Sequence, residues 1–391
     1  MTPLLKLGAT LETNQGDEAA YAARREAETL LRAMLDAEYT IGAASTLSQI
    51  LHWLARVCGE RDGPAAAIPL QEEAIKHAED VFEANSSALN KQNLGHALGA
   101  LAKYVEDAHG PSEALDPCIK EEAVNRQLAA AYEEPWVQRD WAISLSRLSR
   151  LNASLDRLDA AIASREQEVQ IRRALVQSEP SEHNSQGLAA ALGWLGDLHL
   201  SNANPVRAKP LLEENVALCR AKAETAQTAE ARHDFALALS ELAGVLEETE
   251  SPIVALPLRE GAEQQLRELA KTDPSPDRDF SLGAALYNRA NLIYDLGHVA
   301  AAVRDWTKAA EIFESLDPAE VSADLEVWSL ETEQNLLVSE LLGPVPWNTA
   351  FTIEMLGPAS DALLERMTNH LDANAHADQP MGLLEMQPSQ S

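Results

Sequence analysis

The most regular feature of the chain is a 47-residue spacing of apolar positions. Large apolar residues recur four positions before a repeated leucine and, except at Arg289, three positions after it. Offsets −4, 0 and +3 fall on one face of a helix with 3.6 residues per turn, so each repeat is predicted to contain an amphipathic helix, helix A. We count offsets from the seven reference leucines, which are Leu4, Leu51, Leu98, Leu145, Leu192, Leu239 and Leu286.

Two positions that carry small residues predict where a second helix crosses helix A. Offset +4 is always Gly, Ala or Ser, and offset +16 is alanine in every repeat: Ala20, Ala67, Ala114, Ala161, Ala208, Ala255 and Ala302. Antiparallel helices about 8–9 Å apart need small side chains where they cross. Between these offsets a Gly, Asn or Ser precedes a proline in four repeats, which suits the first turn of a second helix, helix B, at Pro64, Pro111, Pro205 and Pro252.

The seventh repeat carries the clearest family resemblance. Leu286, Ala290, Gly297, Ala302 and Trp306 resemble the tetratricopeptide repeat (TPR), and the resemblance covers about residues 3–317. It implies an all-α, right-handed superhelical solenoid of about seven TPR-like helix pairs with a divergent C-terminal helical cap. The repeat of 47 residues departs from the family length of about 34, as in long bacterial members. The extra residues are expected to lengthen each helix by roughly 10 Å.

The repeat register also predicts the organisation of the chain. Residues 1–318 form the repeat array, residues 319–371 a divergent helical cap, and residues 372–391, which lack Lys and Arg, a disordered tail. The first helix A begins about two turns later than its counterparts. We therefore expect this chain to leave apolar surface around Leu47 and Leu54 uncovered. Either the chain was cut from a longer protein, or another surface covers these residues.

Composition narrows the possible partners and the cellular setting. The chain has 62 acidic and 31 basic residues, a net charge of −31. Such a charge argues against nucleic acid and anionic membranes as partners, because both are bound through clusters of Lys and Arg. No apolar run approaches the roughly 18 residues of a membrane span, and the three cysteines form no CxxC pair. We expect a protein of the reducing cytoplasm.

Catalytic signatures are missing from the sequence. It contains no GxxxxGK[ST], GxGxxG, HExxH or GxSxG motif. We therefore expect a protein that is not an enzyme, with no catalytic residue, no cofactor and no metal site. His199, beside the buried face of helix A, is expected to be a partly buried histidine with satisfied hydrogen bonds rather than a base.

The resemblance implies that helix A lines the concave face of the solenoid at offsets −2, +1, +5 and +8. At offset +5 this places three cations, with Arg147 beside them, which we call the basic column: Arg56, Lys103 and Arg150. These cations either bind a partner or pair with carboxylates such as those of Glu60, Glu106 and Asp107. The other candidate groove residues are His52, Trp53, Trp194, Tyr287, Asn288, Asn291 and Tyr294. The two tryptophans either pack between adjacent repeats or bind a partner segment.

These features favour a non-enzymatic protein-interaction scaffold or adaptor. Its partner is expected to be a protein or peptide segment held in the concave groove, and an acidic segment if the basic column takes part. An alternative is a sensor or regulatory module of a larger assembly that self-associates through its N-terminal repeat. An enzyme is the disfavoured third alternative.

Overall fold

The fold consists of α-helices that follow one another at short intervals. A computed structural model describes residues 17–317 and 325–342. Within these ranges the helices are α1 (Asp17–Ala37), α2 (Ile41–Asp62), α3 (Pro64–Ala84), α4 (Ala88–His109), α5 (Pro111–Ala131), α6 (Pro135–Ser154), α7 (Leu158–Ser178), α8 (Glu182–Ser201), α9 (Pro205–Ala226), α10 (Ala229–Thr249), α11 (Pro252–Thr272), α12 (Pro276–Asp295), α13 (Val299–Ser315) and α14 (Leu325–Leu342). None of them is both long and apolar enough to cross a lipid bilayer.

Local capping chemistry fixes where most helices begin. Helix B begins at Pro64, Pro111, Pro205 and Pro252, as the sequence predicts. Helix A begins after a hydroxyl residue whose oxygen accepts a hydrogen bond from the backbone N–H three residues later, at Thr40, Ser87, Ser181, Thr228 and Ser275. These residues share offset −11, a repeating signal that the sequence analysis missed.

The crossing between helix A and helix B is the tightest part of each repeat. The reference leucines of α2, α4, α6, α8, α10 and α12 are buried, and all seven alanines at offset +16 are 0% exposed. In repeat 4 the Ser149 hydroxyl donates to the Ala161 carbonyl oxygen at 2.8 Å. In repeat 5 a Cβ added to Gly196 would lie 2.6 Å from Leu212 Cδ2. The predicted close crossing is therefore confirmed.

The helices form two compact units, Met1–Leu218 and Cys219–Ser391. Within each unit, successive helices pack side by side. In the second unit, α14 lies in the segment predicted as a cap, and Trp328 packs against Phe280 and Tyr287 with ring centroids 6.4 and 5.2 Å apart. The first helix A, the rest of the predicted cap and the predicted tail lie outside the described residues.

The N-terminal repeat corrects one sequence expectation. Leu47 and Leu54 were expected to remain open, but they are buried with Ala27 and Leu31 of α1. The expectation was wrong because α1, helix B of repeat 1, packs on these leucines.

In the described part of the N-terminal repeat, α1 carries two exposed large apolar side chains. Leu30 and Met34 are 53% and 56% exposed. Their counterparts in repeat 4, Ile171 and Leu175, are buried in a cluster with Trp141 at the start of helix A. We call Leu30 and Met34 the α1 patch.

The register can be tested by overpacking the crossing. Ala161→Leu and Ala208→Leu should each lower the free energy of unfolding by about 1–3 kcal/mol, because neither site has room for a larger side chain. Ala163→Leu and Ala221→Leu are matched controls at exposed positions of the same helices and should cost less. Equal melting shifts at the two kinds of site would contradict the assigned register.

Candidate functional site

The basic column lies on the exposed face of helix A, and each of its members has a carboxylate partner. Arg56 donates to Glu60 Oε1 at 2.9 Å and Lys103 to Asp107 Oδ2 at 3.1 Å. Arg150 donates to Glu106 Oε2 of the preceding repeat at 2.6 Å. Exposed pairs of this kind contribute between zero and about 1 kcal/mol. The cations are therefore paired within the chain, yet a ligand carboxylate could replace their partners at little cost.

Repeat 4 adds a cleft beside this column. Ile143, Ser146, Arg147 and Arg150 of α6 and Arg172 of α7 line an open space of about 260 Å³. We call it the arginine cleft. Arg147 and Arg150 were predicted as candidates, but Arg172 was not, because only helix A was expected to line the inner face. Offset +27, which Arg172 occupies, is apolar or uncharged in the other repeats.

The floor of the arginine cleft is a buried ionic cluster. Arg165 donates to Glu168 Oε2 at 2.6 Å and to the Ser146 hydroxyl at 2.8 Å, and both charged side chains are buried. Arg172 Nε donates to the other oxygen of Glu168 at 2.5 Å. Because Glu168 is shared by two guanidinium groups, its charge does not fully neutralise them.

Arg147 at the edge of the cleft contacts a buried acid. Its Nε lies 3.1 Å from Glu121 Oε2, and its Nη1 donates to the Gly99 carbonyl oxygen at 2.9 Å. Glu121 is 4% exposed, and burial raises its pKa to about 7 even though Arg147 opposes the shift. Desolvation of the carboxylate thus outweighs the attraction of the cation.

A second charged pair lies close to Glu121. His96 Nε2 lies 3.3 Å from Asp140 Oδ2, which also accepts a hydrogen bond from Gln92 Nε2 at 2.8 Å. The hydrogen bond to Asp140 raises the pKa of His96. The pKa of Asp140 is lowered because hydrogen bonds from His96 and Gln92 outweigh its burial.

The candidate His52 is held by helix B of its own repeat. Its Nδ1 lies 3.0 Å from Oε1 of the buried Gln71, and burial lowers the pKa of the imidazole. Gln71 occupies offset +20. Offset +20 is also occupied by the buried Arg165 and Arg259, which bond to serines at offset +1. Polar contacts between offsets +1 and +20 therefore recur in repeats 2, 4 and 6.

The candidates Trp53 and Trp194 contact arginines of the preceding repeat. Arg24 Cζ lies 3.7 Å from the ring centroid of Trp53, and Arg165 Cζ lies 5.8 Å from that of Trp194. Each pair joins offset +20 of one repeat to offset +2 of the next, a separation of 29 residues in both cases. The structure thus places both tryptophans in packing between adjacent repeats, although Trp194 remains 53% exposed.

The candidates in repeat 7 lie mostly inside the helix packing. Tyr287 and Tyr294 are buried, so their expected exposed positions are wrong. Tyr294 packs on Trp306, and the Tyr287 hydroxyl donates to Glu331 of α14 at 3.1 Å. The half-buried Asn291 accepts hydrogen bonds from Trp306 and Asn335. Asn288, also half-buried, is adjacent to Tyr287.

His199 and a second open space lie outside the arginine cleft. His199 is buried, as expected, but its Nδ1 has no hydrogen-bond partner, and burial lowers its pKa. Among the residues of the described ranges, no group of three or more His, Cys, Asp and Glu side chains could hold a metal ion. A second space of about 420 Å³ lies between α6 and α7, with Trp141, Ile171 and Leu175 in its wall.

Comparison with known proteins supports the fold. No family model and no curated protein matches the chain. The chain has a TPR-like helical repeat fold, similar to that of a solved structure from Pyrococcus horikoshii. That structure is the signal-transduction ATPase (STAND) protein PH0952, which has a tetratricopeptide repeat sensor. The two chains are 13% identical, with a TM-score of 0.55 over 83% of this chain and 44% of that chain.

Two further solved structures are similar to the chain at lower TM-scores. BtubC (BKLC) from P. vanneervenii is 14% identical with a TM-score of 0.49, over 66% of this chain and 94% of that chain. The S. pombe nuclear import adaptor Nro1 is 13% identical with a TM-score of 0.46, over 74% of this chain and 99% of that chain.

The charge state of Glu121 predicts a pH-dependent stability. Its pKa is about 7 in the folded protein against 4.5 unperturbed. Between about pH 4.5 and about pH 7 the folded state therefore binds more protons than the unfolded state. As a result, the contribution of Glu121 to the free energy of unfolding falls as pH rises through this range. Glu121→Gln should remove up to about 3 kcal/mol of this decrease, measured by urea unfolding across that range. Glu60→Gln, at an exposed acid, should leave the pH dependence unchanged.

Proposed function

We propose that the protein is a non-enzymatic interaction scaffold that binds an acidic segment of a protein partner along the exposed face of helix A. The observation that carries the proposal is the arginine cleft, in which three arginines border an open space in a chain of net charge −31. Charge-assisted hydrogen bonds from guanidinium groups favour carboxylates. The same exposed face continues through Lys103 and Arg56 of the two preceding repeats.

The arrangement suits an extended ligand rather than a small enclosed substrate. Residues at one offset in adjacent repeats lie side by side, so the basic column presents cations at regular intervals along unit 1. Each cation pairs with an exposed or half-buried carboxylate that can turn to solvent when a ligand arrives. A partner segment with several acidic side chains could then contact more than one repeat at once.

Charge reversal of the basic column tests this function. Arg56→Glu, Lys103→Glu and Arg150→Glu combined should reduce the affinity for short acidic peptides at least about tenfold, because up to three charge-assisted contacts become repulsive. Helical content should stay the same since the side chains are exposed. Fluorescence anisotropy with labelled acidic, neutral and basic peptides measures the change.

The control carries the same change of net charge on helix B. It combines Lys120→Glu, Arg126→Glu and Arg207→Glu, three exposed cations that also pair with carboxylates. This variant should bind acidic peptides nearly as well as the unchanged protein. Equal losses in the two variants would show that overall charge, and not the basic column, governs binding.

A second candidate function is a regulatory module that self-associates through its N-terminal repeat. The α1 patch favours it, because Leu30 and Met34 are large apolar side chains, neighbours at i and i+4, and more than half exposed.

Light scattering over a hundredfold range of concentration tests self-association. The mass should rise with concentration, and Leu30→Asp with Met34→Asp should keep the protein monomeric without unfolding it. Leu89→Asp, at an exposed leucine of α4, is the matched control and should change nothing. A constant monomer mass for the unchanged protein excludes this candidate.

A further inference from the structure

The arginine cleft brings together more guanidinium groups than carboxylates. Four guanidinium groups meet three carboxylates within hydrogen-bonding or ion-pair distance: Arg147, Arg150, Arg165 and Arg172 with Glu106, Glu121 and Glu168. Of these acids, Glu168 is bonded to two arginines. These four arginines and three glutamates together carry one excess positive charge when all seven are ionised, and two when Glu121 is neutral.

Glu121 is the carboxylate partner of Arg147 and packs closely against α4. Its carboxylate lies against the backbone of α4, since a Cβ added to Gly99 would be 2.5 Å from Glu121 Oε1. Its Oε2 lies 3.1 Å from Arg147 Nε but makes no hydrogen bond. The side chain is therefore desolvated on one side and held by a single ionic contact on the other.

Other charged groups face Glu121 from each neighbouring helix. His96 belongs to α4, and Asp140 and Arg147 belong to α6. Glu106 of α4 and Arg150 of α6 act on Cys118, one turn from Glu121. On α5 itself the thiol of Cys118 is buried and its pKa is raised to about 12, so it remains neutral. Arg147 and His96 favour the ionised form of Glu121, whereas burial and Asp140 favour the neutral form.

We propose that the arginine cleft binds acidic side chains within a partner segment, and that Glu121 takes a proton from solvent when the ligand carboxylate replaces it at Arg147. The proposal rests on the proposed function and adds its regulation. An arriving carboxylate adds negative charge near Glu121 and draws Arg147 away from it. Both effects raise the free energy of the ionised Glu121 carboxylate, so protonation of Glu121 and ligand binding favour each other.

The sign and range of the pH dependence follow from this linkage. The pKa of Glu121 is about 7 in the free protein and becomes higher when the ligand is bound. Affinity therefore rises as pH falls through the higher value and levels off below about pH 7, where Glu121 is already protonated before binding. Because one proton is involved, the change is at most about tenfold per pH unit.

The experiment uses a labelled hexaglutamate peptide and the full chain at constant ionic strength. Affinity is measured by fluorescence anisotropy from about pH 8.5 to about pH 6, where the peptide carboxylates stay ionised. Calorimetry in two buffers of different ionisation enthalpy counts the protons taken up on binding. We expect uptake that approaches one proton between the two pKa values of Glu121.

Three variants assign the effect to residues. Glu121→Gln should bind tightly at every pH and take up no proton, and circular dichroism checks its fold. His96→Gln should retain the pH dependence. Arg172→Gln should weaken binding several-fold. Arg173→Gln removes the same charge at the next residue, which pairs with Glu214 outside the cleft, and should not weaken binding.

Each outcome bears on a different part of the proposal. Proton uptake that survives Glu121→Gln, or is lost with His96→Gln, overturns the role of Glu121. Equal hexaglutamate affinities of the Arg172→Gln and Arg173→Gln variants would show that the peptide does not bind at the cleft. Tighter binding of a phosphorylated peptide or of a free carboxyl terminus than of acidic side chains would also contradict the proposed ligand. Binding of hexaglutamate without proton uptake refutes the linkage alone and leaves the scaffold function standing. If hexaglutamate does not bind at any pH, the arginine cleft is not a binding site for acidic side chains. The charge reversal of the basic column tests the scaffold function separately.

Discussion

The close crossing of helix A and helix B is the constraint on which the rest of the structure depends. The alanines at offset +16 are 0% exposed in every repeat, and in repeats 3 and 4 they pack on the small residues at offset +4, Ala102 and Ser149. With no side chain between them, the two backbones approach closely and their relative rotation is fixed. That rotation places offset +5 on the exposed face and brings offset +1 against offset +20. The surface chemistry of each repeat thus follows from a contact that contains no functional group.

The same close packing also buries polar side chains that are not part of the repeating pattern of apolar and small residues. Arg165 and Arg259 enter the space beside offset +1 and bond to serine hydroxyl and carbonyl oxygens there. Burying a charge is costly unless it is paired and hydrogen-bonded. Each of these arginines has a carboxylate partner, Glu168 or Glu247. Repeats with nearly the same backbone therefore differ in their electrostatics, and repeat 4 differs from its neighbours by a cluster of arginines.

In the proposed function, the local excess of positive charge makes this surface of an acidic chain selective for acidic segments. The overall charge repels anions at long range, and salt screens this repulsion beyond about 8–10 Å. At the cleft, short contacts from Arg147, Arg150 and Arg172 act within that distance. Glu121 Oε2 lies 3.1 Å from Arg147 Nε, and burial raises the pKa of Glu121 to about 7. In the linkage proposed above, ligand binding and protonation of Glu121 meet at this one contact.

The helices, their starts at the prolines of helix B and the buried small-residue crossing are predictable from the amino-acid sequence alone. These features depend on contacts within about 16 residues that recur seven times, so periodicity reveals them. The regular spacing of 29 residues between Arg24 and Trp53, and between Arg165 and Trp194, was also present in the sequence as a signal for packing between repeats.

The tertiary structure determines which side chains remain exposed at the surface of the repeats. It buried Tyr287 and Tyr294, covered Leu47 with α1, and brought Arg172 of helix B to the cleft on helix A. It also placed Glu121 under Arg147, 26 residues away in the chain. These outcomes depend on how adjacent repeats pack and on which long side chain fills each gap. A pattern within one repeat carries no information on either, because the neighbouring helix supplies the partner and excludes the water.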